Sequence, residues 1–110
     1  EVNMIEDKLR TIEETIVNSP SMKSENKEAV LSLLSELKDE IKEVSDEKST
    51  ELAGLESLNK LQNSDSKDND GLLKNAINEV SDTVKSFEEN HPKLVQVVNS
   101  ICTQLSNAGL

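Results

Sequence analysis

The sequence predicts an all-α protein, built as antiparallel helical hairpins that form a coiled-coil-like bundle of three to four helices. Two observations predict this. Apolar residues recur in steps of four and three along nearly the whole chain, which places them on one face of a helix at heptad spacing. The 110 residues include one aromatic (Phe87), three Gly and two Pro, a composition that favours helix over sheet. The length allows a single domain. Within it the pattern divides into a helical hairpin at about 3–62, a flexible acidic linker at about 63–70, and a C-terminal helix pair at about 71–108.

The first helix spans about 3–18. Ile5, Leu9, Ile12 and Ile16 form its stripe, and Glu6 and Arg10, four apart, support the exposed side. Asn18-Ser19-Pro20-Ser21 ends it, because the residue before a proline is driven out of the α region. Ser21 or Ser24 is placed to cap the second helix, whose first turns carry Glu25 and Glu28 near the positive end of the helix dipole. Val30, Leu34, Leu37, Ile41 and Val44 carry its stripe, widened by Leu31 and Leu33. The pattern weakens at 45–50, where Lys48 occupies an apolar position, and resumes at Leu52, Leu55, Leu58 and Leu61 in steps of three. Either one helix runs over about 25–62, roughly 57 Å long, or a break falls near 45–49; no Pro or Gly marks the weak stretch, so continuity is the expectation. The segment Asn63-Ser64-Asp65-Ser66-Lys67-Asp68-Asn69-Asp70-Gly71 has no apolar residue and reads as a loose linker. Leu73, Ile77, Val80, Val84 and Phe87 then define a helix over 70–89. Asn90-His91-Pro92 interrupts it, with Pro92 suited to the first turn of the last helix. Leu94, Val98, Ile101 and Leu105 face inward there, flanked by Val95, Val97 and Cys102. Gly109 reads as the left-handed C-cap, with Leu110 folding back on the last turn.

Residues 94–110 carry no charged side chain, although 31% of the chain is charged. A solvated face in so acidic a protein would ordinarily show Glu, Asp or Lys every few residues. The expectation is a helix shielded on most of its circumference, at the centre of the bundle or at a subunit interface. The expected interface residues are Leu94, Val95, Val98, Ile101, Cys102 and Leu105. A long second helix would overhang its shorter neighbours, so Leu52, Leu55 and Leu58 join that list. A homo-oligomer follows, with a dimer favoured, because a core of Leu, Ile and Val with one aromatic is lean.

The net charge is −10, and the twelve basic residues are scattered. Phosphate backbones and anionic lipid surfaces repel such a chain, which argues against nucleic acid and membrane partners. No apolar run approaches the ~20 residues of a membrane span. One cysteine excludes an intramolecular disulfide and a cysteine-rich metal site. The chain begins at Glu1; either Met4 is the natural start or a leader has been removed, and a reducing cytoplasm is the expected location.

Phe87-Glu88-Glu89-Asn90-His91-Pro92-Lys93-Leu94-Val95, continuing through Val98-Asn99-Ser100-Ile101-Cys102 to Leu105-Ser106-Asn107-Ala108-Gly109-Leu110, resembles the C-terminal signature of a bacterial family of small acidic helical proteins. That family is known as domain of unknown function number four thousand four hundred and four. Leu9-Arg10 and the Leu-Leu-Ser-Glu-Leu run at 33–37 look like the same family. The resemblance spans nearly the whole chain, and its tail is the specific part. Residues 63–70 are looser and more polar than the family pattern. The family has no established activity, so the resemblance implies fold and assigns no site residue or cofactor.

No residue pattern selects a chemistry. His91 sits in an interhelical turn, where a helix-end role outweighs a base or metal-ligand role. Cys102 has no charged residue within eight positions on its N-terminal side to lower its pKa, which favours an inert core thiol. Eleven residues of helix, ~16 Å, keep the two from forming an intrachain dyad. With Gly71 set as the sixth position of a calcium loop, Ser66 falls first and Ile77 twelfth, so both ends fail. Glycine loops for phosphate and the common hydrolase motifs are missing. The expectation is a non-enzymatic oligomeric scaffold or adaptor without cofactor. The alternatives are a monomeric regulator that binds a partner helix in an exposed groove, and a metal- or ligand-responsive protein using His91 and carboxylates.

Overall fold

Heptad-spaced apolar stripes commit each segment to helix, and the polar breaks between them decide how many helices result. The computed structural model describes residues 4–64 and 70–109. It contains α1 (Met4–Val17), α2 (Ser24–Ile41), α3 (Asp46–Ala53), α4 (Glu56–Gln62), α5 (Asp70–Val84) and α6 (Pro92–Asn107). A 3-10 turn, Lys85–Phe87, prolongs α5. No strand occurs among the described residues. The all-α expectation holds. The count of three to four helices does not, since six α-helices are present among the described residues. The linker expected at 63–70 lies mostly outside the described residues, as does Leu110.

The single helix expected over 25–62 is three helices. At its first break the backbone tightens into three-residue turns, with Glu43 N–H on the Glu40 carbonyl (3.1 Å) and Val44 N–H on the Ile41 carbonyl (3.0 Å). Val44 turns into the core, and Ser45 is extended. The Ser45 hydroxyl then accepts the Lys48 N–H at 3.4 Å, and Asp46 and Glu47 occupy the first turn of α3, where the dipole favours them. The second break falls at Gly54, whose N–H bonds to the Thr50 and Glu51 carbonyls, and at Leu55, which is extended. Glu79 of α5 closes the exposed start of α4 by accepting from Ser57 N–H (3.2 Å) and Ser57 Oγ (3.3 Å). At the start of α2 the flanking residue is Lys23, not Ser21 or Ser24, and its side chain makes no cap.

These breaks fold the leucine-rich stretch back onto the bundle. α1 packs against α2, α3, α4 and α5, and α6 lies between α2 and α5. The stripes merge into one core. Ile5, Leu9, Ile12, Ile16, Val30, Leu34, Leu52, Leu58, Leu73, Val84, Leu94 and Ile101 are all at most 1% exposed. The longest principal extent is 35 Å and the radius of gyration 12.9 Å, against about 13 Å for a globular chain of this length. A 57 Å rod is therefore absent. Lys48, the polar residue at an apolar heptad position, lays its ammonium over the Phe87 ring, 4.9 Å from the centroid.

Two buried polar contacts join distant parts of the chain. Lys8 is 6% exposed and donates to the amide oxygens of Asn59 and, at 2.7 Å, Gln62, tying α1 to the last turn of α4. Ser19, 2% exposed, donates to the Asp70 carboxylate at 3.0 Å, tying the α1–α2 turn to the start of α5. Glu13 and Lys38 pair between α1 and α2. Among the described residues no helix is long and apolar enough to cross a membrane.

Candidate functional site

α6 begins where the Phe87 carbonyl accepts the His91 N–H at 2.8 Å. His91 leaves helical geometry (φ −138°, ψ 61°), and Pro92 starts the new helix, where its lack of an N–H costs nothing. The helix buries Leu94, Val95, Val97, Val98, Ile101 and Leu105 against α2 and α5. It ends with Ala108 N–H on the Gln104 and Leu105 carbonyls and with Gly109 at φ 87°, the left-handed position that favours glycine.

The outward face carries Lys93, Gln96, Asn99, Ser100, Thr103, Ser106 and Asn107, all exposed. Beyond Lys93 this surface has hydroxyls and amides and no charge. The helix is thus not shielded around most of its circumference within the chain. One side is core, and the other is a neutral polar strip in water. That strip is what the sequence reading missed. Its signal was the same charge-free stretch, read for its apolar side only.

The nine residues expected at an interface sit elsewhere than on a free surface. Leu94, Val95, Val98, Ile101, Leu105, Leu52 and Leu58 are buried within the single chain. Leu55 and Cys102 are half-buried against the same core. The overhang that was to leave Leu52, Leu55 and Leu58 uncovered does not exist, because α2 stops at Ile41 and the leucines return on α3 and α4. Val17 is the one large apolar side chain exposed among the described residues, at 53%.

Cys102 lies between the buried and neutral sides of α6, hydrogen-bonded to Ser81 of α5. Burial pushes its thiol above the ordinary range, and the Ser81 bond and the Lys85 charge offset this only in part. A raised pKa means less thiolate and a poorer nucleophile. His91 is half-exposed at the opposite, N-terminal end of the helix. Among the described residues no three His, Cys, Asp or Glu side chains converge as a metal would require. No buried side-chain polar atom among them lacks a hydrogen-bond partner.

No curated protein and no solved structure matches the chain. The family model for Domain of unknown function (DUF4404) matches residues 30–110. The match includes the run at 33–37 and the whole tail from Phe87; Leu9-Arg10 lies before it. By that match, which takes in everything from the middle of α2 to the last residue, the chain belongs to the DUF4404 family.

Proposed function

We propose that this protein is a non-enzymatic interaction scaffold that assembles with itself through the outer face of α6. The carrying observation is the uncharged surface of Gln96, Asn99, Ser100, Thr103, Ser106 and Asn107 on a chain of net charge −10. Two copies repel wherever their carboxylates approach. Each like pair at 10 Å costs about 0.4 kcal/mol even in bulk water. A strip of hydroxyls and amides is the place where two such molecules meet with least repulsion, and every group on it can both donate and accept.

The non-enzymatic reading is supported by the raised pKa of the Cys102 thiol, which makes it a poorer nucleophile. A single free thiol suits a reducing cytoplasm. The regulator reading needed an exposed apolar groove, and the burial of the stripe residues other than Leu55 argues against it.

Light scattering after gel filtration, over a concentration series, tests the proposal. The mass should rise from 12.1 kDa toward twice that value. The variant S100E/T103E should hold it at the monomer value while leaving the helical circular dichroism unchanged. A wild-type mass fixed at the monomer value up to millimolar protein would overturn self-assembly.

A further inference from the structure

We infer that two copies pair α6 against α6 antiparallel, with Ser100 facing Thr103 of the second copy and Gln96 facing its Asn107. This rests on the self-assembly reading above and adds the geometry of the partner. The exposed residues Lys93, Gln96, Ser100, Thr103 and Asn107 follow one another at steps of three, four, three and four. That is the spacing of a single straight seam along a helix. In the antiparallel register the seam is its own complement. Amide meets amide at both ends, and hydroxyl meets hydroxyl in the middle, where Ser100 and Thr103 are small enough for close approach.

The ends of the helix choose the direction. The last turn of α6 contains no basic residue, so its negative dipole end has no cation from its own helix. Lys93 stands at the other end, with a side chain 66% exposed and only a 3.7 Å pair to Glu40. Antiparallel pairing sets Lys93 of each copy beside the C-terminal turn of the other, where a cation is favoured. Parallel pairing would set Lys93 against Lys93 and align the two dipoles.

The seam also sets the strength. Sixteen residues of helix give a strip about 24 Å long and about 10 Å wide, roughly 240 Å², well short of the ~800 Å² per partner of a standard interface. The pair therefore belongs to the weak, transient class of protein–protein contacts. Its salt dependence runs opposite to that of an ion-paired interface. Salt screens the repulsion between two chains of charge −10 and leaves the neutral seam intact, so association rises with ionic strength.

Cysteine cross-linking reads the register. In a Cys102→Ser background, Gln96→Cys and Asn107→Cys are made separately, both at exposed positions that leave the core untouched. In the proposed pair two copies of residue 96 are offset by about 16 Å along the axis, whereas 96 and 107 are adjacent. An oxidised mixture of the two variants should form heterodimer at least tenfold faster than Gln96→Cys alone forms homodimer. Equal rates, or faster homodimer, in a protein that light scattering shows to self-associate would overturn the antiparallel register and leave self-assembly standing. A monomeric mass at every concentration and salt would overturn both.

Discussion

Replacing Leu52 by Ala tests the arrangement that separates this fold from a bundle of long hairpins. Leu52 is 0% exposed and lies on α3, which packs against α1. Truncating a fully buried leucine costs about 2.7–5 kcal/mol, through lost transfer energy and the cavity left behind. A value near 3 kcal/mol is expected, since an eight-residue helix can partly collapse onto the gap. With a urea m-value of about 1.5 kcal/mol/M, the unfolding midpoint should fall by about 2 M. Leu55 is only half-buried, so Leu55→Ala should cost roughly half as much. Both losses occur inside one chain and should not change with protein concentration. Urea titrations of the two variants and the parent at 2 µM and 200 µM, followed by circular dichroism, give the numbers. The reasoning fails if Leu52→Ala lies within 1 kcal/mol of the parent. It fails too if the loss caused by either substitution depends on protein concentration, since these leucines would then be covered by a second chain.

Three further outcomes are expected. Lys8→Met keeps the buried stem, removes a desolvated ammonium and leaves two amides that can turn to water, so it should change stability by no more than about 1 kcal/mol, whereas Lys8→Ala also loses apolar packing and should cost about 2–3 kcal/mol; the reverse order in urea titration would refute this account of Lys8. Ser45→Ala removes the α3 cap, whose 3.4 Å bond is long, and should cost about 0.5–1 kcal/mol by the same assay, with an unchanged midpoint counting against the cap. Cys102 should react with a neutral alkylating reagent more slowly than a free thiol at pH 8 and gain rate only as pH rises beyond the ordinary thiol range. Because its folded-state pKa is raised, the stability linked to it is fully present below the unfolded thiol's pKa and is lost as pH climbs through the folded one; a normal alkylation rate at pH 8 would contradict the raised value.

The apolar face of every helix was legible from spacing. Ile5, Leu9, Ile12 and Ile16, and likewise Val30, Leu34, Leu37, Ile41 and Val44, are buried as their steps of four and three require. The breaks at Pro20 and Pro92 were legible because proline acts locally. The break at Ser45 was legible only as an alternative to a continuous helix, and the break at Leu55 was not, although both left traces. Ser45 followed by Asp46 and Glu47 is a helix start, and the change to uniform steps of three at Leu52, Leu55, Leu58 and Leu61 marks a helix that ends and begins again. What hid them was the continuity of leucine, which fits one helix and two equally well until a neighbour such as α1 decides. Lys8 shows the same limit. Its burial depends on amides more than fifty positions away, and local pattern does not carry that. For the candidate surface, composition located the helix, and only the packing told which side of it faces water.

The place of α1 has a consequence for how the molecule comes together. Its four stripe residues, each at most 1% exposed, close the core against α2, α3 and α4. Yet α1 lies wholly before the span at 30–110 that defines the family match. Burying four such side chains contributes about 6–12 kcal/mol, comparable to the entire net stability of a small domain, about 5–15 kcal/mol. The stretch that the family match covers and the stretch that closes the core are therefore different lengths of chain. A fragment cut after the first helix would keep every residue of the signature and lose the partner that lets α3 and α4 close, and the native state would have to wait for the opening segment to find helices made some forty residues later.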